Sequence, residues 1–259
     1  MARMPKLLFL LMGELFGLGI AILLMFFTDF DISYFLNRQL LLSFVAIIGI
    51  YLLYDYLNQT MFMQEKISKL MVYENLNSVF VIIAWYLLFH NASLVTVGIS
   101  IGIVILLIGS SMYGNRVSFG KNTKMLLLIQ ILKALETLMT GYLIAEITDM
   151  DYFILYEIIV VALLLIPMIV TRYYPFLKKT WRQYMRYRGG GALAENFSFL
   201  LYLMIVGDFG IVISVLLSFL GNVFAIIFAY IVLKEVPSKK DILLNVLITV
   251  LVGVWFYRK

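Results

Sequence analysis

The sequence predicts an all-α, polytopic transmembrane helical bundle of about nine helices (eight to ten), built from two diverged repeats. Three observations carry that prediction. Of 259 residues, 63% are hydrophobic and only 14% charged, with a mean hydropathy of +1.01, whereas soluble domains are about 45–50% apolar and about 25% charged. Apolar runs of membrane-spanning length recur along the chain, a span needing about 20 residues because the hydrocarbon layer is about 30 Å thick. The basic residues gather in alternate connections between those runs.

The predicted spans are 5–27, 34–57, 69–89, 95–112, 124–146, 152–171, 192–207, 210–233 and 241–257. The first continues with no small-residue cleavage site, so it reads as a span rather than a signal peptide. The seventh is short, and Gly207-Asp208 separates it only weakly from the eighth. Pro167 is expected to kink the sixth. With the N-terminus cytoplasmic, segments 1–6, 58–69, 113–124, 172–191 and 234–241 face inward and hold sixteen Lys and Arg residues. Outside that set are Arg38, Arg258 and Lys259 on the outer side and Lys133 within a span. The expected location is therefore a cytoplasmic membrane, of prokaryotic type, with multiple passes.

Composition also excludes whole classes. A net charge of +5 with basic residues at membrane boundaries does not indicate nucleic-acid binding. No cysteine and a single histidine leave thiolate, haem, zinc and iron–sulfur chemistry without their usual ligands, so no cofactor is expected. No Ser/His pair or His/Asp cluster at a water boundary suggests an enzyme. The longest connection, RYYPFLKKTWRQYMRYRGGG at 172–191, interleaves aromatic and basic residues and is expected as an interfacial loop on an anionic inner leaflet. Gly189-Gly190-Gly191 would serve as its flexible joint.

Two sequence echoes divide the chain into an N-terminal half, 1–112, and a C-terminal half, 113–259. Residues 79–109 and 223–253 align without gaps, with identities at Val79/Val223, Phe80/Phe224, Ile82/Ile226, Ile83/Ile227, Tyr86/Tyr230 and Gly109/Gly253. Thr28-Asp29-Phe30-Asp31 likewise echoes Thr148-Asp149-Met150-Asp151. The helix before each carries a glutamate, Glu14 or Glu136, with Gly19 or Gly141 five residues on. Internal repeats are a recurring transporter architecture with the substrate site between the halves.

Residues 204–259 run from MIVGDFG through LSFLGNVFAIIFAYIVLKEVPSKK to a final glycine-containing helix. This stretch resembles the closing segment of EamA-type proteins of the drug/metabolite transporter superfamily, and 59–112 resembles it more faintly. The family pattern has a helix breaker, an aromatic-rich run and a Leu-Gly-Glu-like turn. Here the turn reads Leu233-Lys234-Glu235, and Gly221-Asn222 stands where proline is common. The resemblance implies ten helices in two halves of five, moving small metabolites. This chain departs from it in having four predicted helices in its first half and Phe89-His90-Asn91 at the corresponding turn.

Polar residues inside the spans are the candidate sites, because a charge at a helix centre costs about 2.5–3.5 kcal/mol on insertion scales. Glu14 lies halfway along the first helix in GELFGLGIAI, where Gly13, Gly17 and Gly19 permit close approach of a helix or substrate. A buried carboxyl needs either a proton or a cation, so the two would compete for it. Its Glu-x-x-Gly spacing is similar to the first helix of small multidrug transporters, a resemblance implying proton exchange for a cationic substrate. The other reading is a structural glutamate paired across helices. Glu136 has Lys133 on the same helix face and is either half of an ion pair or a proton site. Glu157 is placed one turn from the outer end of its span, within reach of the interface. Glu74, Asn77, Val81 and Trp85 share one helical stripe suited to an amphiphilic or cationic ligand, or to hydration in a first turn. Asn222 sits beside Gly221 at a point of possible unwinding, or makes an interhelical hydrogen bond. Tyr86 and Tyr230 occupy matching positions that a site or an interfacial belt would both explain. The function expected is alternating-access transport of a small metabolite or organic cation, proton-coupled through membrane glutamates. A lipid or lipid-linked sugar flippase and a non-transporting structural subunit are the alternatives.

Overall fold

A computed structural model describes residues 6–62, 67–89, 121–170 and 177–211, together with isolated positions at 98, 101 and 102 and between 213 and 250. The described elements are all helical: α1 (Lys6–Met25), α2 (Arg38–Phe62), α3 (Ile67–Phe89), α4 (Lys121–Ile144), α5 (Asp149–Val170) and α6 (Leu177–Phe209), with a 3-10 turn at Ile32–Leu36. Among the described residues, three stretches are long and apolar enough to cross a membrane: Arg38–Met61, Lys124–Ile144 and Gly189–Phe209. The predicted spans 95–112, 210–233 and 241–257 lie outside the described residues apart from isolated positions.

Side chains near the ends set several helix limits. Thr28 Oγ1 donates to the Leu24 carbonyl at 3.0 Å, satisfying an orphan acceptor as α1 ends. Asp31 caps the 3-10 turn by accepting from the Ser33 amide and hydroxyl at 2.8 and 2.7 Å. Asn37 Oδ1 then accepts from the amides of Gln39 and Leu40, both at 3.1 Å, and starts α2 at Arg38, four residues later than predicted. Thr148 Oγ1 accepts from the Asp151 amide at 3.1 Å and starts α5 three residues earlier than predicted. Asp149 and Asp151 in its first turn complement the helix dipole.

The predicted interfacial loop at 172–191 is corrected by the structure. From Leu177 onward this segment is helix, and Gly189-Gly190-Gly191 lies inside α6 rather than forming a joint. Each glycine costs a helix about 1 kcal/mol relative to alanine, but packing outweighs that. Trp181 stacks on Phe16 of α1 with centroids 5.6 Å apart, while Ala192, Leu200 and Leu203 are buried in a common core. The seventh predicted span consequently gains the length it lacked. The break after it also moves: α6 ends at Phe209, and Gly210 takes φ +82°, the left-handed conformation that glycine adopts without a Cβ penalty.

By contacts the chain divides into two compact units, Met1–Leu52 with Met139–Phe209, and Leu53–Leu138 with Gly210–Lys259. These units cut across the sequence halves 1–112 and 113–259. In the first unit α1 packs against α5 and α6, which also pack on each other. Leu40, Phe44, Ile47 and Ile48 of α2 complete this core, where the Phe44 and Tyr152 rings lie 4.9 Å apart. In the second unit Met61, Leu126 and Ile129 are buried together against Tyr54, Leu57 and Met125. Many large apolar side chains remain exposed, among them Leu23, Phe27, Leu42, Ile166 and Leu201. An apolar exterior costs nothing in lipid, where helices associate by packing and hydrogen bonding instead.

Candidate functional site

Of the residues chosen from sequence, Glu14 is the one that the first unit buries, at 7% exposure. It lies eight residues into α1, about 12 Å along the helix axis. Tyr51 of α2 donates its phenol to Glu14 Oε1 at 2.5 Å. The Tyr51 ring meets Tyr156 edge-on at 5.8 Å, and Tyr156 lies 5.0 Å from Phe199 of α6. Tyr152 stacks on Tyr156 at 6.1 Å and shares a 2.8 Å hydrogen bond with Thr140 at the end of α4. An aromatic wall thus runs from α2 across α5 to α6.

The second acid here is Glu157, and its predicted position is corrected. Because α5 begins at Asp149, Glu157 sits two turns inside the helix instead of one, and it is 0% exposed. Among the described residues neither carboxyl oxygen has a hydrogen-bond partner. Glu14 lies within electrostatic reach. The carboxyl rests on Gly17, where a Cβ would overlap both it and Asn196 Oδ1. Asn196, itself 7% exposed, spends its amide protons on the carbonyls of Ala192 (2.9 Å) and Gly13 (3.3 Å). Its carbonyl oxygen is therefore turned with the Glu157 carboxyl toward the glycine face of α1. The result is a buried cluster of oxygen acceptors in apolar surroundings, an arrangement that attracts a proton or a cation.

The remaining predicted residues fall elsewhere. Asn77, ten residues into α3, has a buried Oδ1 without a hydrogen-bond partner among the described residues. It shares its helical stripe with fully buried Val81 and half-buried Trp85; Tyr86 is also half-buried. Glu74 belongs to α3, but its side chain lies outside the described residues, as does Asn222 altogether. Glu136 is half-buried in α4, where neighbouring Lys133 places its Nζ 5.6 Å from the centroid of the Tyr54 ring. Tyr230 is 56% exposed. Among these, Asn77, Trp85, Tyr86, Glu136 and Tyr230 belong to the second unit.

In the connection between α1 and α2, outside the spans, Tyr34 lies close to Asp151. Burial, reinforced by the charges of Asp151 and Asp31, pushes the Tyr34 phenol above its ordinary value. The hydrogen bonds from Ser33 hold Asp31 below the usual carboxylate range.

Sequence reading missed Tyr51, Glu157 and Asn196. Glu157 was visible as a lone charge within an otherwise apolar run, but a three-residue error in the helix start made it look superficial. Tyr51 and Asn196 carried no local signal. The sequence matches no protein-family model, and no curated protein matches it.

Proposed function

We propose that this chain is an alternating-access carrier for a small metabolite or organic cation, coupled to protons through Glu14. In this reading it is a bundle of about nine helices from two diverged repeats, seated in a prokaryotic cytoplasmic membrane with its N-terminus inside. The observation that carries the proposal is the burial of Glu14 against the Tyr51 phenol, beside a second buried carboxyl. Helix packing alone gives no reason to retain two acids in an apolar bundle, because each is costly there, and intramembrane acids mark ion and proton pathways.

Other features support it. Among the described residues three helices have spanning length, and the sixteen basic residues gathered in alternate connections agree with a multi-pass topology. Lys234 has φ +55°, a left-handed backbone at the middle of Leu233-Lys234-Glu235. That is the position of glycine in the family turn that the C-terminal stretch resembles, and glycine is the residue such a backbone favours. Glu136, beside Lys133, takes a secondary role.

Proteoliposomes with an imposed proton gradient test the proposal. Purified chain should drive counterflow of organic cations, and Glu14→Gln should abolish it. Flux undiminished in Glu14→Gln removes Glu14 from the coupling.

A further inference from the structure

The first twelve residues of α6 have no part in the carrier reading, and they carry an assignment independent of it. We propose that residues 177–188 form an amphipathic helix that turns at Gly189-Gly190-Gly191 to lie along the membrane surface, where Lys178, Lys179, Arg182 and Arg186 bind the phosphate headgroups of anionic lipids.

α6 is longer than a bilayer needs. Its 33 residues measure about 50 Å against a hydrocarbon layer of about 30 Å, and Gly189–Phe209 has spanning length by itself. Two contacts with α1 show where the surplus goes. Asn196 donates to the Gly13 carbonyl at 3.3 Å, and Trp181 stacks on Phe16 with centroids 5.6 Å apart. Gly13 and Phe16 lie within one turn of α1, yet the fifteen residues from Trp181 to Asn196 cover about 22 Å of straight helix. Helical side chains lean toward their own N-terminus, which on a straight α6 would carry the Trp181 ring still farther from Asn196. The helix therefore bends between the two contacts. Gly189-Gly190-Gly191 lies in that interval, and glycines are among the few causes of sharp helix kinks. Close packing does not account for Gly190 and Gly191, since a Cβ on either meets nothing within 4 Å.

The bend brings the segment against α1, and helical spacing then sorts its residues. At about 100° per residue, Lys178, Lys179, Arg182 and Arg186 fall within an arc of about 100°. Leu177, Tyr184 and Met185 fall around Trp181, the position that meets α1. The centre of the basic arc lies about a third of the way round the helix from Trp181, so the positions that hold α1 and those that carry charge are separate. Arg188, beside the glycines, is the one basic residue of the segment outside the arc, and the segment contains no acid to neutralise the others. Trp181, stacked yet still 38% exposed, is the kind of ring that sits at headgroup level. A helix joined directly to a lipid-immersed span, with apolar positions on one side and four cations on another, has lipid phosphate as its adjacent partner of matching charge.

The full chain with Trp85→Phe and Trp255→Phe, reconstituted in phosphatidylcholine vesicles, reports the lipid beside Trp181 by fluorescence quenching. Brominated phosphatidylglycerol should associate about tenfold or more tightly than brominated phosphatidylcholine, and high salt should remove the preference. Exchanging Lys179 with Thr180 and Arg182 with Gln183 (Lys179→Thr, Thr180→Lys, Arg182→Gln, Gln183→Arg) keeps the net charge but scatters the arc. That variant should lose the preference by about threefold or more. Equal quenching by the two lipids, or a preference untouched by the exchange, overturns the site. The chain has no cysteine, so spin labels at Thr180→Cys and Ser198→Cys read the bend directly. A straight helix sets those positions about 27 Å apart. The bent helix should bring them closer, and the straight-helix distance overturns the turn at the glycines. Neither readout involves transport, so failure here leaves the carrier reading standing.

Discussion

Glu14 and Glu136 hold matching places in the two sequence halves, each five residues before a glycine, yet their surroundings differ in kind. Glu14 is buried under Tyr51 and near a second carboxyl. Glu136 is half-buried on a helix whose preceding cation, Lys133, leans over the Tyr54 ring. The glycines differ too: Gly19 is exposed with open space around it, while Gly141 is buried. In α1 it is Gly17 that meets two neighbouring helices, α5 through Glu157 and α6 through Asn196. Residue type and spacing within one helix therefore leave the role of an intramembrane acid open. The role follows from what the adjoining helices bring to it.

The sharpest way to break this contrast is transport. Glu14→Gln should abolish proton-coupled cation counterflow in proteoliposomes, whereas Glu136→Gln should retain most of it; equal loss in both would make the acids equivalent. Glycine substitutions come next in size. Gly17→Ala forces its methyl into the Glu157 and Asn196 side chains, so thermal unfolding in micelles should show a loss of about 1–3 kcal/mol. Gly19→Ala meets nothing within 4 Å and should be neutral or stabilising by up to about 1 kcal/mol.

Smaller effects are expected where the two Thr-Asp-x-Asp segments diverge. Thr148 caps α5 through the Asp151 amide, so Thr148→Ala should cost about 1 kcal/mol. Thr28 donates to a carbonyl in the last turn of its own helix, and Thr28→Ala should cost less in the same melt. The smallest effect is a pH dependence. Burial, with the charges of Asp151 and Asp31, raises the Tyr34 phenol above its ordinary value, so keeping it neutral contributes stability that is complete below that ordinary value. The contribution fades as pH rises through the folded-state value. Wild type should lose stability relative to Tyr34→Phe in that alkaline window, and parallel melting curves for the two proteins would show the buried phenol to be inert.

Helix positions were legible from apolar run length, and the predicted and observed limits of α1, α3 and α4 agree within a few residues. They were less legible where a polar side chain rather than hydropathy sets the end, as at Asn37 and Thr148. The error at 172–191 has the same root. Basic and glycine-rich composition reads as a connection, but the helix persists because Trp181 and Ala192 have partners on other helices. Of the acidic pair, Glu14 was legible because a charge amid glycines and leucines stands out. Glu157 was not, since its importance depends on depth and on a neighbour in another helix.

Hydropathy is a sum over individual residues, so the chain's affinity for lipid and its helical character could be read without coordinates. The pairing of Tyr51 with Glu14, and of Asn196 with a carbonyl 183 residues away at Gly13, could not. Such contacts arise between side chains whose separation along the chain carries no periodic signal, and only the packing of α1, α2, α5 and α6 decides them.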